Sequence, residues 1–344
     1  MRLALAQINP TVGDIDGNAQ RITARIREAA AAGCALVVLP ELCLCGYPPK
    51  DLLLQEGFIP ACSAAARQIG ETRSAGITAV FGVPLPADKN RATARIANSL
   101  LVYRDNRFVA YYDKRLLPTY DVFDEDRYFT PGDQPVVIDP CGGHLRVGLS
   151  ICEDLWKGED AGFAQHYLNS ADPVPQLISA GAGLIVNPSA SPFVLGKGEK
   201  HRRILAGHAR RHRCFVAAVN QVGGNDDLIF DGHAAVFAPS GDLIAAAPGF
   251  VEHTLIVDLP SSGAAVPDPL LSAPSEELLW KALVLGTRDY CGKTGFKTAV
   301  LGISGGIDSA GVATPAGGAL GGDRRRGAAR RRGGGAGGCG AGGG

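Results

Sequence analysis

Three apolar segments of the sequence each end in a side chain that can take part in covalent catalysis. ALVVLP is followed by Glu41, RFVAYYD by Lys114, and HLRVGLSI by Cys152. In folds that alternate strands and helices, strand ends meet at one edge of a sheet, where ligand sites collect. A carboxylate, an amine and a thiol at such an edge form a complete set for attack on a carbonyl. The carboxylate would accept the thiol proton, and the ammonium would offset negative charge on the carbonyl oxygen.

Each of the three residues also has an ordinary structural interpretation. A Glu after a strand is usually a solvated loop residue, Lys114 lies between Asp113 and Arg115, and an intracellular Cys is most often an inert buried thiol. No His in these segments stands as a catalytic partner, which disfavours a Cys-His protease. Taken singly, therefore, none of the three residues identifies a catalytic site.

The elements that must position these residues alternate between strands and helices over the first 260 residues. Period-two and short apolar runs predict strands, and apolar residues at helical spacing predict helices. The predicted strands include Arg2–Asn9, Ala35–Leu39, Ile77–Phe81, Ile96–Tyr103, Arg107–Asp113 and Leu145–Ile151; the helices include Asn18–Ala31, Ile59–Ala75 and Lys197–Arg213. Alternation of this kind, combined with hairpins, favours an α/β sandwich with mixed sheets.

The sequences that flank the three reactive residues resemble the nitrilase, or carbon–nitrogen hydrolase, superfamily. The segments PELCLCGYPP, DKRLLP and GLSICEDLW are similar to its three catalytic segments and occur in the same order. The resemblance spans roughly residues 1–260. It implies a four-layer α-β-β-α sandwich and a catalytic triad of Glu41, Lys114 and Cys152.

Three further segments resemble one branch of that superfamily, the glutaminase half of glutamine-dependent NAD synthetases. They are YPPKDLL, LPTYDVFDEDRYFTPG and NPSASPFVLGK. By this resemblance Tyr120, Ser191 and Lys197 bind L-glutamine, and Glu125 is a second carboxylate beside the triad. The ordinary alternatives are a core Tyr, a turn-forming Ser-Pro and a Lys at a helix start.

The residue types also indicate how an amide would be cleaved. A free thiol with a pKa near 8.5 is only about 3% ionised at pH 7, so Lys114 would favour the thiolate and Glu41 would act as base. Lys114 and the backbone N–H of Glu153 are expected to hold the oxyanion. Glu41 would then protonate the leaving ammonia and activate water to cleave the thioester. No metal ion is expected in this chemistry.

A glycine-rich turn follows a predicted strand near residue 300. Its sequence, GISGGIDS, lets backbone N–H groups and hydroxyls point towards a phosphate, and it resembles the pyrophosphate-binding loop of ATP pyrophosphatases. The residues expected to bind nucleotide are Gly302, Ile303, Ser304, Gly305, Gly306, Ile307, Asp308 and Ser309.

The order of a nitrilase-like region followed by a pyrophosphatase loop resembles glutamine-dependent NAD synthetases. In that family glutamine supplies ammonia, ATP and Mg²⁺ adenylate deamido-NAD, and the ammonia displaces AMP. A nitrilase-family amidase that acts on another small amide is the alternative. A homo-oligomer is also expected.

The resemblance divides the chain into four parts. These are a glutaminase domain at residues 1–260, a linker at 261–274, the start of an α/β ATP-pyrophosphatase domain at 275–310, and a Gly/Arg-rich tail at 311–344. Ser275 is expected to cap the first helix after the linker.

The tail is expected to be disordered or aberrant. It contains 15 Gly and six Arg in 34 residues. An interior Pro costs about 3 kcal/mol in a helix and each Gly about 1 kcal/mol relative to Ala, so a helix through Pro315 should form poorly. We therefore expect only the amidohydrolase activity from this sequence. A frameshift, a premature stop or a sequencing fault in GC-rich DNA would each explain the tail.

Charge and composition narrow the classes of partner. The tail carries six Arg and one acid, which leaves 28 basic and 33 acidic residues up to Ala310 and a net charge of −5. A net negative charge over these residues disfavours nucleic-acid binding. No apolar run is long enough to span a bilayer, and the nine Cys show no paired spacing. We expect a cytoplasmic protein with free thiols and no membrane partner.

Overall fold

The computed structural model describes residues 1–87, 96–143, 145–158, 167, 170–260, 265–321 and 325–329. Its strands are β1 (Arg2–Gln7), β2 (Leu36–Val38), β3 (Thr78–Pro86), β4 (Ile96–Arg104), β5 (Arg107–Asp113), β6 (Val137–Ile138), β7 (Val147–Leu149), β8 (Leu184–Ser189), β9 (Phe215–Asn220), β10 (Val222–Asn225), β11 (Leu228–Asp231), β12 (Ala235–Phe237), β13 (Leu243–Ala246), β14 (His253–Asp258), β15 (Ala299–Ile303) and β16 (Arg325–Ala329). Its helices are α1 (Ile15–Ala31), α2 (Phe58–Arg73), α3 (Pro173–Ser179), α4 (Lys197–His212), α5 (Ser275–Thr294) and α6 (Ile307–Leu320).

Two six-stranded sheets form the centre of the fold. The first has the order β14-β1-β2-β3-β4-β5 and the second β13-β12-β9-β8-β7-β6. Three neighbouring strands are parallel in each sheet, β1 to β3 in the first and β7 to β9 in the second, and the flanking strands are antiparallel. The two sheets therefore repeat one arrangement.

Apolar side chains fill three interfaces between four layers. Leu5 of β1 and Val186 of β8 belong to a buried cluster between the sheets. Ile22 of α1 packs in a second cluster on the outer face of the first sheet, and Leu205 of α4 in a third on the outer face of the second. The structure therefore confirms the expected α-β-β-α sandwich. No helix in the described ranges has both the length and the apolar character of a bilayer span.

The segment expected to be a linker is packed in its second half. Asp268 forms an ion pair of 2.8 Å with Arg202 of α4, and both side chains are nearly buried. Leu270 is buried as well. Residues 261–264 lie outside the described residues. At the start of α5, Ser275 is the first helical residue rather than the cap, and Pro274 at the cap position has no side chain that can accept a hydrogen bond.

The chain after the glycine-rich turn is more ordered than its composition predicts. Helix α6 continues to Leu320 with Pro315 in its interior, and β16 pairs in parallel with β15. Packing on α5 explains the helix, because a Cβ at Gly318 would lie only 3.0 Å from Val284. Because Gly318 has no side chain, α6 can approach α5 closely, and this packing offsets the poor helix propensity of α6. Residues 322–324 and 330–344 of the expected tail lie outside the described part of the chain.

Candidate active site

Glu41 lies in a turn directly after β2, held against β3 by backbone hydrogen bonds. The N–H of Leu39 donates to Val80 O at 2.9 Å, and that of Gly82 donates to Pro40 O at 3.2 Å. The turn approaches Gly82 so closely that a Cβ there would lie 2.2 Å from the backbone nitrogen of Leu42. Only glycine at this position leaves room for the turn that carries Glu41.

We expect Gly82→Ala to lower the free energy of unfolding by about 1–3 kcal/mol, because the added methyl group overlaps backbone atoms that must move. Gly207→Ala in α4 is the matched control, since no atom lies within 4 Å of a Cβ built there. It should raise the unfolding free energy by about 0.5–1 kcal/mol. Urea denaturation checks both values, and equal stability of the two variants would contradict the close approach.

The ammonium of Lys114 joins two carboxylates. Lys114 follows β5 at the edge of the first sheet, and its Nζ donates to Glu41 Oε1 at 2.7 Å and to Glu125 Oε1 at 2.8 Å. The three side chains are only 1–3% exposed. Burial opposes the charged form, but the adjacent Glu125 and Glu41 outweigh it and raise the pKa of Lys114. The amine is therefore an ammonium ion at neutral pH.

Two further donors fix the carboxylate of Glu41. The side-chain amide of Asn98 donates to Oε1 at 2.7 Å, and the backbone N–H of Ala190 donates to Oε2 at 2.8 Å. Glu41 therefore accepts from both sheets, because Asn98 belongs to β4 and Ala190 follows β8. Together with the Lys114 ammonium, these two donors hold the Glu41 carboxylate in one orientation.

Glu125 completes the network on the other side of Lys114. Its Oε1 also accepts from the hydroxyl of Tyr47 at 2.9 Å, whereas Oε2 is buried without a hydrogen-bond partner among the described residues. Burial raises the pKa of Glu125 to about 7, although Lys114 and the Tyr47 hydroxyl act in the opposite direction. This carboxyl group therefore titrates near neutral pH.

Cys152 stands at the start of a 3₁₀ turn, Cys152–Leu155, that follows β7 in the second sheet. Its φ is +42°, a conformation that costs a non-glycine residue about 1–3 kcal/mol. The side chain is 5% exposed. Burial and the negative charge of Glu41 raise the pKa of the Cys152 thiol, while Lys114 opposes them. The resting thiol is therefore neutral, and its proton must move to a base when sulfur attacks.

Asp154 fastens the Cys152 turn to the chain after Lys114. One carboxylate oxygen accepts from the N–H groups of Arg115 at 3.1 Å and Leu116 at 2.9 Å. The other accepts from the Ile151 N–H at 2.8 Å and from the Tyr112 hydroxyl at 2.7 Å. This buried carboxylate therefore sets the position of the thiol relative to the amine.

Two of the residues expected to bind glutamine, Tyr120 and Lys197, interact with Glu153. Its carboxylate accepts from the hydroxyls of Tyr120 at 3.0 Å and Tyr167 at 3.2 Å. Lys197 Nζ lies over the Phe123 ring at 5.8 Å, and the same amine contributes to the electrostatics of Glu153. Ser191 and Lys197 line one pocket. The structure thus places a carboxylate, a phenol and an amine beside the network of Glu41, Lys114 and Cys152.

The turn expected to bind nucleotide lies apart, between β15 and α6. Gly305 has φ +85°, and the Ser309 hydroxyl lies within 3.3 Å of both the N–H and the hydroxyl of Ser304. All eight predicted residues are at least partly exposed to solvent. The strand, turn and helix order of a phosphate loop is present, with the first N–H groups of α6 unoccupied by side-chain caps.

Sequence reasoning missed four residues that orient the site. They are Tyr47, Asn98, Asp154 and Tyr167. Asn98 is an amide within a largely apolar strand, and Asp154 lies two residues after the reactive thiol; both were visible signals. Tyr47 and Tyr167 gave none, because their partners are fixed only by tertiary structure.

Two family models match successive parts of the chain. The model of a family described as carbon-nitrogen hydrolase matches residues 2–267, and that of a family described as NAD synthase matches residues 279–329. The glutamine-dependent NAD(+) synthetase of Synechocystis sp. is 40% identical over 325 residues, which are 93% of this chain and 57% of that protein. The chain thus spans little more than half the length of the curated relatives it matches.

Solved structures show likenesses of two kinds. The glutamine-dependent NAD+ synthetase of Acinetobacter baumannii, solved in complex with ADP, has a TM-score of 0.81 and 32% identity, covering 95% of this chain and 59% of that chain. A variant of the amidase of Nesterenkonia sp. AN1, with acrylamide added at its active-site cysteine, has a TM-score of 0.63 and 25% identity. That match covers 81% of this chain and 98% of the amidase.

Proposed function

This chain belongs to the carbon–nitrogen hydrolase family, and we propose that it hydrolyses the side-chain amide of L-glutamine through a thioester on Cys152. The observation that carries the proposal is the buried Lys114 ammonium, bonded to Glu41 and Glu125 and within electrostatic range of the thiol. An acid–base group, a cation and a nucleophile are thus supplied by two facing sheets. These are the components that acyl transfer requires.

In the first half of the reaction, Cys152 sulfur attacks the amide carbon while Glu41 accepts the thiol proton. Negative charge develops on the amide oxygen, where the Lys114 ammonium and the Glu153 N–H stabilise it. Glu41 then gives its proton to the amide nitrogen, the carbon–nitrogen bond breaks, and ammonia leaves. Concerted proton transfer suits this site, because the pKa of the resting thiol is raised.

In the second half, water attacks the thioester carbon and Glu41 accepts a proton from it. The carbon–sulfur bond breaks, the Cys152 sulfur recovers the proton, and glutamate is released. The Glu41 carboxylate is suited to both halves, since Asn98 and the Ala190 N–H hold it in one orientation. Lys197 and Ser191 are proposed to bind the α-carboxylate of glutamine, with Tyr120 and Glu153 beside the substrate.

We also propose that the ammonia serves ATP-dependent amidation of deamido-NAD when the remaining synthetase residues are present. The support is the NAD synthase match at residues 279–329 and the ADP-bound relative. Bound ATP with Mg²⁺ would activate a carboxylate by converting it to an adenylate. In this chain the Ser304 and Ser309 hydroxyls and the N–H groups that begin α6 would hold phosphate.

Hydrolysis of another small amide is a second candidate, favoured by the likeness that covers nearly the whole Nesterenkonia amidase. Substrate comparison separates the two. We expect Lys197→Met to raise KM for glutamine about ten- to a hundredfold, because a charge-assisted contact to the α-carboxylate is lost. KM for propionamide, which has no carboxylate, should stay unchanged.

The matched control is Lys200→Met, one turn further along α4, where the amine lies over Trp156 outside the pocket. Steady-state measurement of ammonia release tests all three proteins with both amides. Faster hydrolysis of propionamide than of glutamine, with KM for glutamine unchanged in Lys197→Met, would favour an amidase that acts on another small amide.

A further inference from the structure

Helix α5 is fastened to the sandwich by two charged side chains one helical turn apart. The Asp289 carboxylate accepts from the Asn9 amide and from the Gly224 N–H, both at 2.7 Å. The largely buried Lys293 Nζ lies within 2.6–2.9 Å of four oxygen atoms, those of Asn9 Oδ1, Pro10 O, Gly224 O and Asn225 Oδ1. Three N–H groups are thus shared among four neutral acceptors, and the Asp289 carboxylate lies 3.8 Å from the same Nζ.

Close backbone contact accompanies these bonds. A Cβ at Gly224 of β10 would lie 3.0 Å from the Cα of Gly286 in α5. A small buried apolar cluster that includes Val222 and Leu285 lies between the hairpin β10–β11 and the helix. The hairpin therefore cannot change position unless α5 also moves.

The same hairpin contacts the candidate active site on its other side. The Asn225 amide donates to the Tyr47 carbonyl at 3.3 Å, and Phe230 of β11 meets the Tyr47 ring edge-on, with 6.2 Å between centroids. The Tyr47 hydroxyl in turn donates to Glu125, which is bonded to Lys114. Two residues, Asn225 and Tyr47, thus connect the Lys293 ammonium to the Glu125 carboxylate.

We propose that Lys293 is a positioning residue for the Glu125–Lys114 pair, acting through the β10–β11 hairpin and Tyr47. This rests on the proposed amide hydrolysis, and it adds that a helix outside the region matched to carbon–nitrogen hydrolases orients the reactive groups. Residue 293 lies in the range matched to the NAD synthase model. Removing the amine leaves four oxygen atoms without their donor, so the hairpin must rearrange.

The titration of Glu125 gives the inference a readout that simple loss of stability would not change. Burial and the nearby Glu41 carboxylate raise the pKa of Glu125, whereas the Lys114 ammonium and the hydrogen bond from the Tyr47 hydroxyl lower it. Withdrawal of Tyr47 removes this bond, so the pKa of Glu125 should rise further. A variant that merely unfolds more readily would keep the pH profile of its folded fraction.

The test compares Lys293→Met with Lys281→Met on the same helix, where the exposed amine pairs with Glu277 at 2.6 Å. We expect Lys293→Met to lower kcat for glutamine about tenfold, as a displaced reacting group does. KM should change less than twofold, and the pH profile of kcat should move to higher pH. Lys281→Met should match the parent chain in all three.

Asn225→Ser keeps three of the four acceptors of Lys293 and breaks the link to Tyr47, so it tests the same route if Lys293→Met folds poorly. It should move the pH profile in the same direction. Tyr47→Phe should abolish the effect of Asn225→Ser on that profile, because both changes interrupt one route. The inference would be overturned if Asn225→Ser and Tyr47→Phe acted independently in the double variant. It would also be overturned if the pH profile were unchanged in both Lys293→Met and Asn225→Ser.

Alkylation of Cys152 by iodoacetamide, followed by mass spectrometry across pH, separates this inference from the proposed function. The rate reports the charges around the thiol and needs no substrate. If the parent chain fails to hydrolyse glutamine, the proposed function fails. The positioning role then stands if Lys293→Met, and not Lys281→Met, shifts the alkylation profile, and it falls if neither does.

Discussion

Replacement of Cys152 with alanine is expected to lower ammonia release from glutamine by at least about 10⁴-fold, since loss of a nucleophile removes the covalent route entirely. The methyl group of alanine fills part of the space of the buried thiol, so folding should be kept. In this variant Lys114 and Glu41 could still assist direct attack of water on the amide. This residual catalysis sets the lowest rate of ammonia release expected. A coupled ammonia assay with purified protein measures the loss.

Cys141→Ala provides the matched control, because Cys141 is the exposed free thiol of the described residues and lies away from the site. Its activity should equal that of the parent chain. An electrophilic glutamine analogue should add one adduct to the parent and to Cys141→Ala but none to Cys152→Ala. Ammonia release by Cys152→Ala within tenfold of the parent rate would refute the thioester mechanism.

Lys114→Met should reduce kcat about 10²- to 10³-fold, the usual effect of removing one stabilising group from an oxyanion site. The ammonium has a second task, because it separates the carboxylates of Glu41 and Glu125. Without it the pKa of Glu125 should rise further, since the positive charge of Lys114 lowers it. We therefore also expect the pH profile of the residual activity to move to higher pH.

Lys50→Met is the control for loss of a lysine charge. Its amine pairs with Asp226 at 2.9 Å on the surface, and such pairs contribute little. Rates at several pH values should show no change from the parent. If Lys114→Met retained more than a tenth of the parent kcat, the amine would have no role in stabilising the oxyanion.

Local sequence predicted an α/β sandwich with mixed sheets, and the resemblance to carbon–nitrogen hydrolases implied its four layers. Apolar strands that end in Glu41, Lys114 and Cys152 predicted a shared site; in the structure Lys114 bonds to Glu41, and both lie within electrostatic range of the Cys152 thiol. The resemblance to carbon–nitrogen hydrolases and to glutamine-dependent NAD synthetases is confirmed by the family and relative matches. The catalytic roles, the domain boundaries, the cellular location and the oligomeric state stay predictions.

Tertiary contacts account for what the sequence could not show. The acceptors of Tyr47 and Tyr112 lie 78 and 42 positions further along the chain, so no local pattern pairs them. The positive φ of Cys152 is likewise not a preference of this residue type, and it occurs where the Asp154 carboxylate accepts from the Ile151 N–H. Helix α6 formed against its intrinsic propensity because α5 offers it a complementary surface.

The division of the reactive groups between two sheets has a consequence for synthesis on the ribosome. The first sheet supplies Glu41 and Lys114, yet it gains its outermost strand, β14, only when residues 253–258 emerge. The second sheet supplies Cys152. A nascent chain shorter than about 260 residues therefore lacks a complete first sheet. The onset of amide hydrolysis during synthesis would report that the two sheets have packed together.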